Sequence, residues 1–95
     1  MAAFYTVESV DGGMEVRLSR SHEVRCRVWM CTDVAERFLG SLTATVEARL
    51  REQLRDEYDA VLSRLIALMR AVLAGKPGGS IEVPDDAAAL LPFFN

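Results

Sequence analysis

The fold is decided by the stretch SLTATVEARLREQLRDEYDAVLSRLIALMRAVLA, which occupies residues 41–74. Large apolar residues recur at every fourth position through it, and a second apolar row joins them in its later half. This spacing places the apolar side chains on one face of an α-helix, whereas a strand would need a two-residue repeat. The stretch contains no Gly or Pro, and Gly75 followed by Pro77 is a typical helix stop. The sequence therefore predicts one long amphipathic helix.

Two helix starts are compatible with the residues ahead of this stretch. Asp33 with Glu36 three residues later is a capping-box signature, whereas Gly40 followed by Ser41 offers a break and a second N-cap. We expect a helical region over residues 33–74, in which a short helix at its start is kinked or interrupted at Gly40.

A continuous helix of this length is too long for so small a protein. It would extend about 50 Å, whereas a compact domain of this size measures about 30 Å across. Its second half is apolar over nearly half its circumference, so we expect a second copy of the chain to cover the overhang in a homodimer. The predicted dimer or partner interface consists of Tyr58, Leu62, Leu65, Leu68, Met69, Val72, Phe93 and Phe94. The alternative is a break near Arg55, Asp56 and Glu57, which would produce a monomeric hairpin.

Residues 4–30 alternate apolar and polar positions, which predicts a three-stranded antiparallel β-meander. Asp11-Gly12 favours a two-residue type I′ turn, which sets Val7 opposite Val16. A three-residue loop at 20–22 then sets Leu18 opposite Val24. The buried face is expected to contain Tyr5, Val7, Met14, Val16, Leu18, Val24, Cys26, Val28 and Met30. The outward face is expected to contain Phe4, Thr6, Glu8, Glu15, Arg17, Arg25, Arg27 and Trp29.

The residues after the long helix predict a short tail. Residues 80–83 alternate polar and apolar side chains, which suits a short edge strand in the sheet of the same chain or of a partner. A helical turn is expected over residues 84–91. Phe93 and Phe94 are costly to expose, so we expect them to dock in an apolar groove of their own chain or of a partner. Together these elements predict a single α+β domain spanning residues 1–95.

Composition disfavours several classes of protein. A hydrophobic share of 51% is enough for a core, and a net charge of −3 without a basic tail disfavours sequence-independent nucleic-acid binding. Cys26, Cys31 and His22 are too few for a disulfide scaffold or a four-ligand zinc site, and the expected strand geometry keeps His22 and Cys26 apart. The first residues lack a basic and an apolar signal region, and the most apolar run is too short to cross a bilayer, so we expect neither secretion nor a membrane span. We therefore expect a cytoplasmic protein with no cofactor, no metal and no small-molecule substrate.

Surplus apolar surface without catalytic chemistry predicts a non-enzymatic homodimeric protein-interaction module, such as an adaptor, an inhibitor or a partner-specific chaperone. Its partners would be a second copy of the chain and another protein. The alternative is a nucleic-acid-binding transcriptional regulator that uses Arg17, Arg25, Arg27 and Trp29 on the outward sheet face. The plainer interpretation of that face is a solvated surface on which Glu15 pairs with Arg27.

Overall fold

The computed structural model describes residues 3–52 and 57–83 of the chain. In chain order the elements are β1 (Ala3–Val10), β2 (Gly13–Arg20), β3 (Glu23–Cys31), α1 (Thr32–Arg51), α2 (Glu57–Leu73) and β4 (Gly79–Val83). The strands form one antiparallel sheet in the order β3-β2-β1-β4, and both helices pack on the same face of it. This arrangement confirms the predicted α+β class. It also shows that β4 joins the sheet of its own chain.

The first hairpin has the predicted register, with Val7 opposite Val16. Asp11 and Gly12 connect its strands, but only Gly12 takes a positive φ, at 77°. A type I′ turn needs positive φ at both positions, so that part of the prediction is wrong. The Gly12 carbonyl accepts a hydrogen bond of 3.3 Å from the backbone N–H of Thr32, which joins this turn to the start of α1.

The second hairpin differs from the prediction. Ser21 and His22 alone connect β2 to β3, with φ angles of 55° and 65°, so the predicted three-residue loop is wrong. Two left-handed residues match the right-handed twist of the flanking strands, although Ser-His is not one of the dipeptides that signal such a turn. The tighter turn moves the register by one residue, and a β-bulge that follows it moves the register by a second. Leu18 therefore faces Cys26 instead of Val24.

The β-bulge at the start of β3 returns the apolar residues Cys26 and Val28 to the side of the sheet that faces the core. The pairing shifts between Leu18 and Ser19, so that Arg25 is the extra residue and Val24 lies opposite Ser19. Val24 consequently shares the outward side with Ser19 and is 45% exposed, which corrects its predicted place in the buried face. The bulge is a tertiary feature, because alternation along the sequence by itself keeps Val24 in phase with Cys26.

The first helix runs without a break through Gly40. The predicted interruption there is therefore wrong, as is the separate short helix over residues 33–39. Cys31 is the N-cap residue and makes no side-chain capping bond, so the capping box of Asp33 and Glu36 does not form. Asp33 lies instead in the first turn, where its negative charge interacts favourably with the positive end of the helix dipole.

The predicted single helix over residues 41–74 is also wrong. α1 ends at Arg51, α2 begins at Glu57, and the two helices pack against each other. The chain thus adopts the helical hairpin of the alternative, with the division between Arg51 and Glu57. Folding back brings both apolar stripes onto the sheet and shortens the molecule, whose longest dimension is 38 Å against about 50 Å for a straight helix.

The two helices share the cover of the sheet. α1 contacts β3 and β2, whereas α2 contacts β1, β4 and β2. The core between the two layers consists of Ala3, Tyr5, Val7, Met14, Val16, Leu18, Met30, Ala35, Leu42, Val61, Leu62, Leu65, Ile66, Met69, Val72 and Val83. The other face of the sheet is directed away from this core, and we call it the outward face.

The end of α2 agrees with the prediction. Gly75 has a φ of 84°, and the N–H of Lys76 donates to the carbonyl of Ala71 at 2.9 Å, as in a Schellman cap. A glycine is needed here because an L side chain is strained in this conformation. The helical turn predicted over residues 84–91 lies outside the described residues.

Candidate interaction surface

The structure places most of the predicted helix interface inside the protein. Four of its side chains are between 0% and 5% exposed: Leu62, Leu65, Met69 and Val72. Leu68 packs partly buried against the same core. These side chains contact the sheet of their own chain, so they are not available to a partner in this fold. The side chain of Tyr58, together with Phe93 and Phe94, lies outside the described part of the protein.

The outward face of the sheet is a second candidate surface, and strand register fixes its layout. Side chains that share a row across the strands are neighbours because directly paired residues lie about 5 Å apart. The first row contains Val24, Ser19, Phe4 and Glu82. The second row contains Arg27, Arg17, Thr6 and Ser80. The third row contains Trp29, Glu15 and Glu8.

The polar side chains in the middle of this face bind one another. Arg17 forms ion pairs of 2.9 Å with Glu8 and 3.5 Å with Glu15. Thr6 and Ser80 are joined by a hydrogen bond of 2.8 Å between their hydroxyl groups. Glu15 therefore pairs with Arg17 along its own strand, and the predicted pair between Glu15 and Arg27 is wrong.

The β3 end of the face is not satisfied in the same way. Arg27 lies directly opposite Arg17, and within residues 3–52 and 57–83 no ion pair reaches it. Like charges in directly opposed positions repel each other. Arg25, at the bulge, pairs with Glu23 at 3.5 Å, but both side chains are more than half exposed and such pairs contribute little.

Large apolar side chains accompany these arginines. Trp29 is 54% exposed, Val24 45% and Phe4 39%. Trp29 stands two residues beyond Arg27 on the same side of β3, while Val24 and Phe4 lie at either side of the small Ser19. Sequence reasoning assigned Phe4 and Trp29 to this face and missed Val24, whose position depends on the bulge. We call Val24, Arg25, Arg27 and Trp29 the β3 margin.

The backbone of β3 is also open on one side. β3 is the last strand of the sheet and pairs only with β2 in the described part of the chain. An edge strand presents N–H and C=O groups that another extended segment can bind. The bulge at Arg25 disturbs the first part of this edge, whereas pairing from Cys26 to Cys31 is regular.

The charge of the outward face is nearly balanced. Three carboxylates, those of Glu8, Glu15 and Glu82, stand against the guanidinium groups of Arg17 and Arg27, and the pair at the bulge is neutral. A strong nucleic-acid interface would carry a clear positive excess. The balance of this face therefore does not favour the predicted alternative function.

The remaining reactive side chains do not converge on a site. Cys26 and Cys31 lie on β3 and form no disulfide, and His22 lies exposed in the turn before this strand. Among the residues that the structure describes, no three His, Cys, Asp or Glu side chains lie close enough to hold a metal ion together.

The helix layer contains a shallow groove of about 340 Å³ between α1 and α2, bounded by Glu36, Glu47 and Arg70. Arg70 donates a hydrogen bond of 3.3 Å to the Thr43 hydroxyl there, which spans the two helices.

The described helices are too short or too polar to cross a lipid bilayer.

Comparison of the chain with models of protein families, with curated proteins and with solved structures found no match.

Proposed function

We propose that this chain is a non-enzymatic protein-interaction module, of the adaptor, inhibitor or partner-specific chaperone kind, that contacts its partner through the β3 margin. The observation that carries the proposal is Trp29, which stands half exposed beside Arg27 at the open edge of the sheet. Trp and Arg are the side chains most enriched among the residues that dominate binding energy at protein interfaces.

Energetics support this choice of surface. Exposed apolar area costs about 25 cal/mol per Å² relative to burial, and a Trp side chain can bury more than any other residue. The helix layer offers less, because most of its large apolar side chains pack in the core, and among those described only the aliphatic Val34 and Leu50 are exposed. The β3 margin is the part of the described surface where an exposed aromatic ring, unpaired positive charge and open backbone coincide.

The homodimer remains a prediction, although the structure leaves no overhanging helix for a second copy to cover. A single helix over residues 41–74 would be too long for its own sheet, whereas α1 and α2 fold back on each other as a hairpin. Light scattering on purified protein over a range of concentrations tests the oligomeric state. A mass of 10.5 kDa at every concentration would remove the dimer from the proposal and leave the interaction with another protein in place.

Nucleic-acid binding is the second candidate. It is favoured by one observation, the succession of Arg25, Arg27 and Trp29 along one strand, since bases can stack on an exposed aromatic ring. It predicts affinity for single-stranded oligonucleotide that falls steeply with salt. The near balance of charge on the outward face weighs against it.

Recovery of the native partner with matched surface variants tests the proposal. Trp29→Ser should abolish recovery of the partner, whereas Leu50→Ser should retain it. Leu50 is a suitable control because it is 42% exposed and lies on α1, in the layer on the other side of the sheet. Loss of the partner in Leu50→Ser with retention in Trp29→Ser would place the contact on the helix layer and contradict the proposal.

A further inference from the structure

We infer that the β3 margin binds an acidic, extended segment of a partner protein, which adds to the sheet as a strand alongside residues 27–31 of β3. The inference rests on the proposed function and specifies the chemistry of the partner. The free edge of β3, the absence of an ion pair at Arg27 among the described residues and the side chains on the two sides of this strand segment support it.

The edge defines where an added strand can lie. The bulge at Arg25 twists the beginning of β3 and interrupts regular hydrogen bonding, as bulges on edge strands commonly do. Beyond it, Arg27, Val28 and Trp29 pair regularly with β2 and leave their other side free in the described chain. An incoming segment therefore has room for a short ladder centred on these three residues.

Charge selects the partner residue beside Arg27. Glu8 and Glu15 both bind Arg17, so the four charges of these residues and Arg27 sum to zero, but among the described residues no carboxylate contacts the Arg27 guanidinium group directly. A carboxylate on the added strand, placed opposite Arg27, would form a charge-assisted pair and relieve the repulsion between Arg27 and Arg17. Charge complementarity thus calls for Asp or Glu at this position.

The neighbouring positions follow from the pleat of a strand. Successive side chains point to opposite faces, so the residue opposite Val28 points towards the helix layer and the residue opposite Trp29 points outward again. Val28 is only partly buried against the core and would be covered by an apolar side chain. The exposed ring of Trp29 would be covered by an aromatic or large aliphatic one. The preferred segment is therefore acidic, apolar and aromatic in three consecutive residues.

A second copy of the chain fits this edge less well. Antiparallel pairing of two β3 strands about Arg27 sets that arginine against itself, and pairing about Cys26 sets it against Arg25 of the other copy. Only pairing about the bulged Arg25 would bring the Glu23 carboxylate of a second copy to Arg27, and there the backbone is irregular. Pairing about Val28, in the regular part of the strand, sets Arg27 against Trp29 of the other copy and supplies no carboxylate, so a different protein that carries one is the better match to Arg27.

Fluorescence anisotropy with a synthetic peptide tests the inference on the full chain. Every pairing in the described sheet is antiparallel, so the probe reads aromatic, apolar and acidic in chain order: a fluorescein-labelled peptide Gly-Ser-Phe-Val-Glu-Thr-Gly, whose control replaces Glu by Gln. We expect the acidic peptide to bind about tenfold more tightly than the control, because a charge-assisted hydrogen bond is lost in the latter. In Arg27→Gln this preference should vanish, whereas Arg64→Gln, which changes an exposed arginine of α2, should keep it.

Amide chemical shifts of the wild-type protein locate the binding. Changes confined to β3 and the adjacent part of β2 would support strand addition, and changes centred on the groove between α1 and α2 would overturn it. Equal affinity for the two peptides would also overturn it. A single-stranded thymidine oligonucleotide serves as a competitor. If it displaces the acidic peptide and binds more tightly, the β3 margin is a nucleic-acid-binding surface and the inference is overturned.

The native partner separates failure of this inference from failure of the proposed function. A partner that is lost in Trp29→Ser but retained in Arg27→Gln would refute the acidic segment and leave the interaction module intact. A partner retained in both variants would refute both. Far-ultraviolet circular dichroism checks that each variant is folded, which is expected because both side chains are exposed.

Discussion

Arg49 of α1 and Asp59 of α2 form a two-point contact that fastens the helical hairpin. The Arg49 Nε–H donates to Asp59 Oδ1 at 2.7 Å, and a terminal guanidinium nitrogen donates to Asp59 Oδ2 at 3.3 Å. The Asp59 carboxylate is nearly buried and the Arg49 side chain is mostly so. Ten positions separate these residues in sequence, so the contact exists only when α2 folds back along α1.

Removal of the arginine should destabilise the protein because it leaves a nearly buried carboxylate without this partner. Arg49→Met is expected to lower the free energy of unfolding by about 2 kcal/mol, less than for a fully buried pair since the arginine is partly solvated. The double variant Arg49→Met/Asp59→Leu should recover most of this loss. Urea unfolding provides the measurement, with Arg64→Met on the surface of α2 as control. A loss in Arg49→Met no greater than in the control would refute this role.

Gly40 lies in the interior of α1, where an added methyl group meets nothing within 4 Å. Gly40→Ala should therefore raise the free energy of unfolding by about 1 kcal/mol, because alanine restricts the unfolded chain and favours the helix. Gly75→Ala should lower it by about 1 kcal/mol, since Gly75 has a φ of 84°. Thermal unfolding of the two variants makes the comparison. Destabilisation by Gly40→Ala would mean that the helix is interrupted there, as the sequence had suggested.

Leu65 is fully buried between α2 and the sheet. Leu65→Asp should abolish cooperative unfolding. The free energy needed to bury an isolated carboxylate exceeds the free energy of unfolding of a small domain. Leu50→Asp, on the exposed surface of α1, should remain folded. Nuclear magnetic resonance spectra show whether each variant is folded. A folded Leu65→Asp protein of halved mass would instead restore the view that this side chain belongs to a dimer interface.

His22 occupies a left-handed conformation in the turn between β2 and β3, with a φ of 65°. His22→Gly should stabilise the protein by about 1 kcal/mol, since glycine adopts this conformation without strain. Ser19→Gly, inside β2, should lower the free energy of unfolding because glycine weakens a strand. Chemical denaturation measures both changes. Destabilisation by His22→Gly would indicate that the histidine side chain makes a contact that outweighs the strain of its backbone.

The extent of sequence prediction differs from one surface to another. The outward position of Arg17, Arg27 and Trp29 followed from alternation along each strand, which depends only on the pleat. The exposure of Val24 did not, because it requires the two-residue turn at Ser21 and the bulge that accompanies it. Arg17 pairs with Glu8 and Glu15, while no ion pair within residues 3–52 and 57–83 reaches Arg27, and this choice of partners depends on side-chain geometry that spacing alone does not specify.

The sequence by itself determined the α+β class, the register of the first hairpin, the end of α2 and the identity of its buried stripe, since each follows from local periodicity or a local turn residue. Only the tertiary structure decided what covers that stripe. Periodicity assigns a side chain to a face of a helix but does not state whether the covering surface comes from the same chain. Around Arg51 and Glu52 no Gly or Pro marks a stop, so the reversal between α1 and α2 depends on burial against the sheet and on contacts such as Arg49 with Asp59.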